Sequence, residues 1–222
     1  MSSHAVTVRH TRLSDIDNLI ALQKKVYPHI DSWTPKQVAD QLEQFPQGQI
    51  VAEYKGELVG CASSLVVTWD EWYESHSWTE ITARGHFHTH DPKGKTLYGA
   101  EVFVTPDLRG LGLGHALYQG RRTICRAMNL KRIIACGRLP GYKHYASEMP
   151  VQLYAQKVLW GDLNDPVLSF QLHEGFKYCG VFEGYLPQDV DSGGYASLIV
   201  WLNPDYDPQR PTLIPPGYIL PG

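Results

Sequence analysis

The chain has 222 residues, 43% of them hydrophobic and 19% charged, enough apolar material for one sizeable core. Its formal net charge of −3 supplies no broad cationic surface, which excludes nucleic acid as a partner. No stretch approaches the roughly 20 apolar residues that a membrane-spanning helix needs, so a membrane partner is not expected either.

Met1 to Arg12 alternates polar and apolar residues and lacks the apolar core of a secretory leader. Within it, Ala5 to Arg9 predicts a first strand. Asp15 reads as the N-cap of a helix with Ile16, Leu19, Ile20 and Leu22 on one face. Thr34 caps a second helix with Pro35 at its first position, and Val38, Ala39 and Leu42 follow at helical spacing. Gln49 to Tyr54 and Glu57 to Thr68 predict two strands joined at Lys55-Gly56, a hairpin signal. Residues 69–95 carry Trp69, Trp72, Tyr73, Trp78 and Phe87 together with His76, His86, His88 and His90. No period holds there, and such aromatic density predicts an ordered insertion or flap, since disordered linkers are poor in aromatics.

Leu97 to Val104 predicts a strand, ended by Thr105-Pro106. A glycine-rich turn leads into a helix buried through Leu117, Ile124 and Met128, with Arg121, Arg122 and Arg126 on its solvated positions. Arg132 to Cys136 is a short apolar strand. Residues 139–164 form a second insertion, with a helix around Tyr154, Val158 and Leu159. Val167 to Glu174 predicts a short helix ended by Gly175, and Phe176 to Tyr185 and Tyr195 to Leu202 predict two closing strands. From Asn203 the prolines (Pro204, Pro208, Pro211, Pro215, Pro216, Pro221) forbid helix or sheet. The expected division is therefore a domain over residues 1–202, with its two insertions, and a proline-rich tail over 203–222. Cys61, Cys125, Cys136 and Cys179 form no Cys-x-x-Cys pair. They read as small hydrophobes in a reducing, cytoplasmic setting rather than as a disulfide frame or zinc site.

Chemistry concentrates at Arg109-Gly110-Leu111-Gly112-Leu113-Gly114, where a strand delivers the chain to a helix start. Glycines let the backbone approach a ligand closely. Free amides and the dipole of a helix N-terminus favour a phosphate or pyrophosphate, and Arg109 adds a full charge. A P-loop needs Gly-Lys-Ser/Thr at the end of the loop, which is missing. A dinucleotide fingerprint needs G-x-G-x-x-G within a βαβ unit, whereas the spacing here is G-x-G-x-G among hairpins. A plain glycine-rich turn is the remaining alternative.

A strand, Val-x-Pro, then Arg-x-x-Gly-x-Gly opening an amphipathic helix resembles the acetyl-CoA signature of the GNAT N-acetyltransferase superfamily. Asn164, Phe170 and Gly175-Phe176 resemble that family's final helix and its Gly-Phe ending. The likeness spans about residues 5–202 and is nearest to a bacterial subgroup sometimes joined to a nitrilase-like domain, at a joint where this chain carries its proline-rich tail. It implies an α/β (α+β) fold: a mixed, mostly antiparallel sheet of about seven strands, with a central splayed parallel pair and flanking helices. It implies acetyl-CoA as co-substrate, with the backbone of Phe103, Val104 and Thr105 along the pantetheine arm. Arg109, Gly110, Leu111, Gly112, Leu113 and Gly114 would lie around the pyrophosphate, and Asn164 near the thioester or pantetheine.

Acyl transfer to an amine requires a base, a polarised carbonyl and a proton for the leaving thiolate. Glu101 is the candidate base, on the side of the strand that carries Phe103; the competing reading is an exposed carboxylate or ion-pair partner. The amide of Val104 is the candidate for polarising the carbonyl. Many family members carry a tyrosine four residues before the Gly of Gly-Phe as general acid. Gln171 stands there, leaving Tyr142, Tyr145, Tyr154, Tyr178 or solvent. His86, His88 and His90 would share one face of a strand and suit zinc, but loop histidines are more often polar surface or pocket lining, so no metal is assigned. The expected activity is transfer of an acetyl or short acyl group to a primary amine, borne by a small molecule or a peptide. Residues 27–45, 69–95 and 139–165 are expected around the acceptor. The alternative is an acyl-CoA-binding sensor or former fusion module without turnover. A homodimer exchanging the tail or a strand would suit the proline-rich end.

Overall fold

Lys55 and Gly56 both take left-handed conformations (φ 54° and 80°), as a two-residue turn between right-twisted strands demands. In this computed structural model, which describes residues 5–108, 110–213, 218 and 220, they join two strands of a seven-stranded sheet. Its strands are β1 (Thr7–His10), β2 (Gln49–Tyr54), β3 (Glu57–Val67), β4 (Thr96–Val104), β5 (Arg132–Arg138), β6 (Lys177–Phe182) and β7 (Ala196–Leu202). They lie in the order β1-β2-β3-β4-β5-β7-β6. Only β4 and β5 run parallel, and a parallel pair needs a crossover. These features are the mixed sheet and central parallel pair that the sequence led us to expect.

Helices α1 (Ile16–Val26) and α2 (Pro35–Gln44) cover one face, where Leu19, Leu22, Trp33 and Val38 pack on Val51, Cys61 and Phe103. Thr34 caps α2 as expected, its hydroxyl accepting the Gln37 amide proton (3.2 Å) while the Gln37 side chain accepts from the Thr34 amide (2.7 Å). Asp15 does not cap α1. Its carboxylate is held by Arg9 (2.7 Å) and accepts from the Arg12 amide (2.7 Å), because a single 3₁₀ turn, Leu13–Asp15, intervenes before the helix. The opposite face of the sheet carries α4 (Leu113–Ala127), α5 (Val151–Trp160) and α6 (Leu168–His173). There Leu113, Leu117, Ile124, Tyr154 and Leu168 meet Ile50, Leu97 and Ile133 in the largest apolar cluster.

The aromatic insertion is ordered, as its composition implied. It contains α3 (Trp78–Ile81), and Ile81 and Phe87, both fully buried, pack on Leu65, Val67 and Tyr98. Beyond β7 the chain folds back onto the turn after α4. Asn129 donates to the carbonyls of Asp207 (2.8 Å) and Arg210 (2.9 Å) and accepts from the Asp207 amide (2.9 Å). Leu220 is buried in the α4-side cluster.

Candidate active site

Strands β4 and β5 pair only where Thr96–Gly99 face Arg132–Ala135. Beyond that the sheet opens. Ser63 faces Glu101 while Ser64 faces Gly99, so Ala100 is an extra residue, and a bulge of this kind bends and twists its strand. The gap is a cavity of about 790 Å³ between the end of β4, the start of α4, residues 135–138 of β5 and Phe170 and Gln171 of α6.

The glycine loop forms one end of this cavity. Gly110 (φ 82°) and Gly112 (φ 70°) are left-handed, which a residue with a Cβ adopts at a cost. Gly114 serves differently: a Cβ there would lie 2.9 Å from the Phe170 ring. Gly112 is the N-cap of α4 and offers no side-chain hydrogen bond, so the first-turn amides lack a side-chain cap. Phe103, Val104, Thr105, Gly110, Gly112, Leu113 and Gly114 all line the cavity. Arg109 lies outside the described residues. Leu111 and Asn164 are exposed and are not among the lining residues; Pro166 and Val167 stand where Asn164 was expected. The Thr105 amide is taken by the Val59 carbonyl (2.8 Å). By antiparallel alternation, Val102 and Val104 therefore turn their backbone groups toward the gap.

Glu101 sits at a waist. With Tyr27, Ala100, Cys136 and Arg138 it lines both this cavity and a second one, of about 310 Å³, on the α2 side. Burial pushes its carboxyl up from 4.5 to about 7, against the opposing pull of the Val102 amide, the Arg138 charge and the Tyr27 hydroxyl. The Val102 amide donates to it at 3.0 Å and Tyr27 at 3.4 Å. Arg138 is itself pinned by a paired contact with Asp189 (Nε to Oδ2, 2.6 Å) and lies 5.5 Å from the Tyr27 ring centre. The second cavity is walled by residues of the 27–45 and 69–95 segments, including Trp33, Gln37, Trp78 and Arg84. Residues 139–165 contribute nothing to its lining; Tyr185, Leu186 and Gln188 of the β6–β7 loop stand in their place.

Tyr185 is the end of a directed chain. Nδ1 of His76 faces the Glu74 carbonyl (3.1 Å), which only accepts, so Nδ1 carries the proton and Nε2 accepts. Burial lowers the pKa of His76, against the pull of the Glu74 and Trp72 carbonyls. Tyr98 then donates toward Nε2 in a long contact of 3.5 Å and receives the Tyr185 hydroxyl proton at 2.7 Å. The Tyr185 oxygen is left with lone pairs for the second cavity.

Two expectations for α4 are overturned. Arg121 and Arg122 are buried, 2% and 6% exposed, rather than solvated. Arg121 donates to the carbonyls of Ser63 (3.0 Å) and Glu101 (2.6 Å) and to the Ser64 hydroxyl (3.0 Å). These groups flank the bulge. Arg122 pairs with the buried Glu174 at 3.2 Å. Gln171 fills space left by Gly137, where a Cβ would stand 2.3 Å from its Oε1, and donates to the Tyr118 hydroxyl at 3.2 Å. Tyr142, Tyr145, Tyr154 and Tyr178 do not line the cavity, whereas Tyr118 does. Sequence reasoning passed over Tyr118, although its spacing of four from Gly114 and three from Arg121 puts all three on one helical face. The three histidines do not share a strand face and line neither cavity. His90 stacks on Phe45 (4.7 Å between ring centres) and accepts the Val66 amide proton (3.1 Å), while His86 contacts Asp40 at 2.7 Å.

Two curated relatives and a solved structure are similar to this chain. The chain is 42% identical over 205 residues to a probable hydrolase, YhcX, of Bacillus subtilis (strain 168); the match covers 92% of this chain but only 40% of that longer protein. It is 34% identical over 206 residues to an uncharacterized N-acetyltransferase, YkwB, of the same organism, covering 91% of each. The fold superposes on the GphF GNAT-like decarboxylase in complex with isobutyryl-CoA, with a TM-score of 0.76 and 23% identity over 89% of this chain and 99% of that one. At that identity the likeness is one of fold. Among the described residues no helix is long and apolar enough to cross a membrane. The acetyltransferase (GNAT) family model matches residues 15–144, and the chain belongs to that family, whose co-substrate is acetyl-CoA.

Proposed function

We propose that the protein is an N-acyltransferase that moves an acetyl or other short acyl group from acetyl-CoA to a primary amine by direct attack. The observation that carries this reading is Glu101, a carboxylate with a pKa near 7 at the waist between two cavities. In this reading the larger cavity takes the donor. The amides of Arg109 to Gly114 hold its pyrophosphate, and Phe103 to Thr105 flank the pantetheine arm, with Pro166 and Val167 in the place expected of Asn164. The amide of Val104 is offered to the thioester oxygen. The smaller cavity takes the amine, small-molecule or peptide-borne. Glu101 removes its proton, directly or through water, and a base with a pKa near the working pH is suited to that step. Tyr118, whose pKa is raised by burial, lines the donor cavity with its hydroxyl on the Gln171 amide and is our candidate for returning a proton to the thiolate. The lone pairs of Tyr185 supply a second acceptor for the amine N–H.

Acetyl-CoA is expected to raise the melting temperature by mass action on the folded state, and an amine panel is expected to release free CoA thiol. No melting shift at millimolar acetyl-CoA would overturn the reading. A shift without thiol release for any amine would leave a binding module, a sensor or former fusion partner, in its place.

A further inference from the structure

We propose that Asp40, His86 and His88 form a binding site for a divalent transition metal of the zinc class, tying α2 to the aromatic insertion beside the second cavity. One ligand atom from each lies within 4.8 Å of the other two. The Asp40 side chain is 9% exposed and forms a fixed anionic floor. His86 and His88 reach over it, with Nδ1 of His86 at 2.7 Å and Nε2 of His88 at 3.9 Å from the same carboxylate oxygen. Two imidazoles and a carboxylate at zinc bond lengths of about 2.0–2.2 Å stand roughly 3.3–3.6 Å apart. The two distances to Asp40 bracket that range, so small ring rotations bring them into it.

The frame that holds these groups is independent of their own contacts. Gln37 and Gln41, on the same helix as Asp40, donate to the carbonyls of Arg84 (2.7 Å) and Gly85 (2.9 Å). Phe87, between the two histidines, is fully buried. Ala83, Arg84 and Phe87 all take left-handed conformations (φ 48°, 57° and 60°), strain that persists only where the surroundings dictate it. The outcome is that His86 and His88 lie side by side, ring centres 5.5 Å apart, on the solvent side of a rigid turn. Three protein ligands with an open side leave a fourth position for water.

Lys36 competes for the same floor, its ammonium 3.0 Å from both Asp40 oxygens. Its side chain is 76% exposed, so it can swing into water when a dication arrives. Gln37 and Arg84 also line the second cavity, and a bound ion therefore stiffens that cavity's wall from outside.

The test is titration of the metal-free full chain with Co²⁺, followed by its visible absorption, and displacement by Zn²⁺. One saturable equivalent is expected. His88→Ala and Asp40→Asn should each weaken it by about tenfold or more, Lys36→Gln should tighten it, and His173→Ala, at an exposed histidine elsewhere, should leave it unchanged. His88 is the most exposed of the three ligands, so His88→Ala keeps the test valid if Asp40→Asn fails to fold. No saturable binding up to millimolar Co²⁺, or binding indifferent to His88→Ala, overturns the proposal. Neither result bears on acyl transfer, which is read separately by thiol release.

Discussion

The guanidinium of Arg121 lies directly under Gly99, where a Cβ would meet it at 2.9 Å. The missing side chain on β4 and the buried cation on α4 are thus one arrangement: glycine makes room for the group that satisfies carbonyls on both sides of the bulge. Gly99→Ala should cost about 1–3 kcal/mol through overpacking, seen as a melting temperature lowered by about 2–10 °C, and should also disturb Glu101, whose carbonyl Arg121 holds. Glu101 permits a signed prediction. Its carboxyl is raised from 4.5 to about 7, so the folded state favours the neutral form. That contribution to stability is present below about pH 4.5 and is lost as pH rises through 7. Glu101→Gln should therefore stabilise the protein at pH 8.5 relative to the native chain, with little effect at pH 4. If Glu101 is the base, turnover of the native enzyme rises through about pH 7 and that limb vanishes in Glu101→Gln. That Glu101 shares a side of its strand with Phe103 was legible from alternation. Arg121 was not, since helical periodicity marks a charged position as solvated and only the bulge across the sheet supplies carbonyls to bury it.

Among the elements, α4 gathers most of the candidate donor site. Its three entry glycines were legible as a group, but their separate reasons were not: two set the turn's backbone and the third admits the Phe170 ring from α6, a contact between segments more than fifty residues apart. Gly112→Ala should cost about 1–2 kcal/mol for its left-handed conformation. Gly112→Asp should also weaken acetyl-CoA binding by at least about tenfold, roughly 1.4 kcal/mol, by setting a negative charge at the helix start. Unchanged affinity in Gly112→Asp, measured by calorimetry, would move the pyrophosphate elsewhere. The short helix α6 shows the limit of local reading. Its boundaries were visible from periodicity and Gly175, yet its start depends on Asp165, which accepts from the Val167 and Leu168 amides (2.9 Å each) and from the Tyr154 hydroxyl (2.9 Å). That last partner comes from α5 and leaves no local signature.

For the molecule as a whole, the sequence indicated the sheet, its central parallel pair and the order of the insertion. The paths of the surface segments were not visible, because proline forbids regular structure without saying what the chain packs against. Asn129 decides that for the tail. It takes a left-handed conformation (φ 52°) and ties residues 207–210 to the turn after α4. Asn129→Gly keeps the backbone but loses these bonds, and should cost about 2–3 kcal/mol while exposing residues 205–212 to limited proteolysis.

The waist at Glu101 carries a consequence in time. Five residues belong to both cavities, so a filled donor cavity supplies part of the wall that a second reactant meets. If the proposed direct attack holds, both reactants are resident together, without an acylated enzyme as a resting stage. Initial-rate plots at several fixed amine concentrations should intersect rather than run parallel, and free CoA should compete with acetyl-CoA but not with the amine.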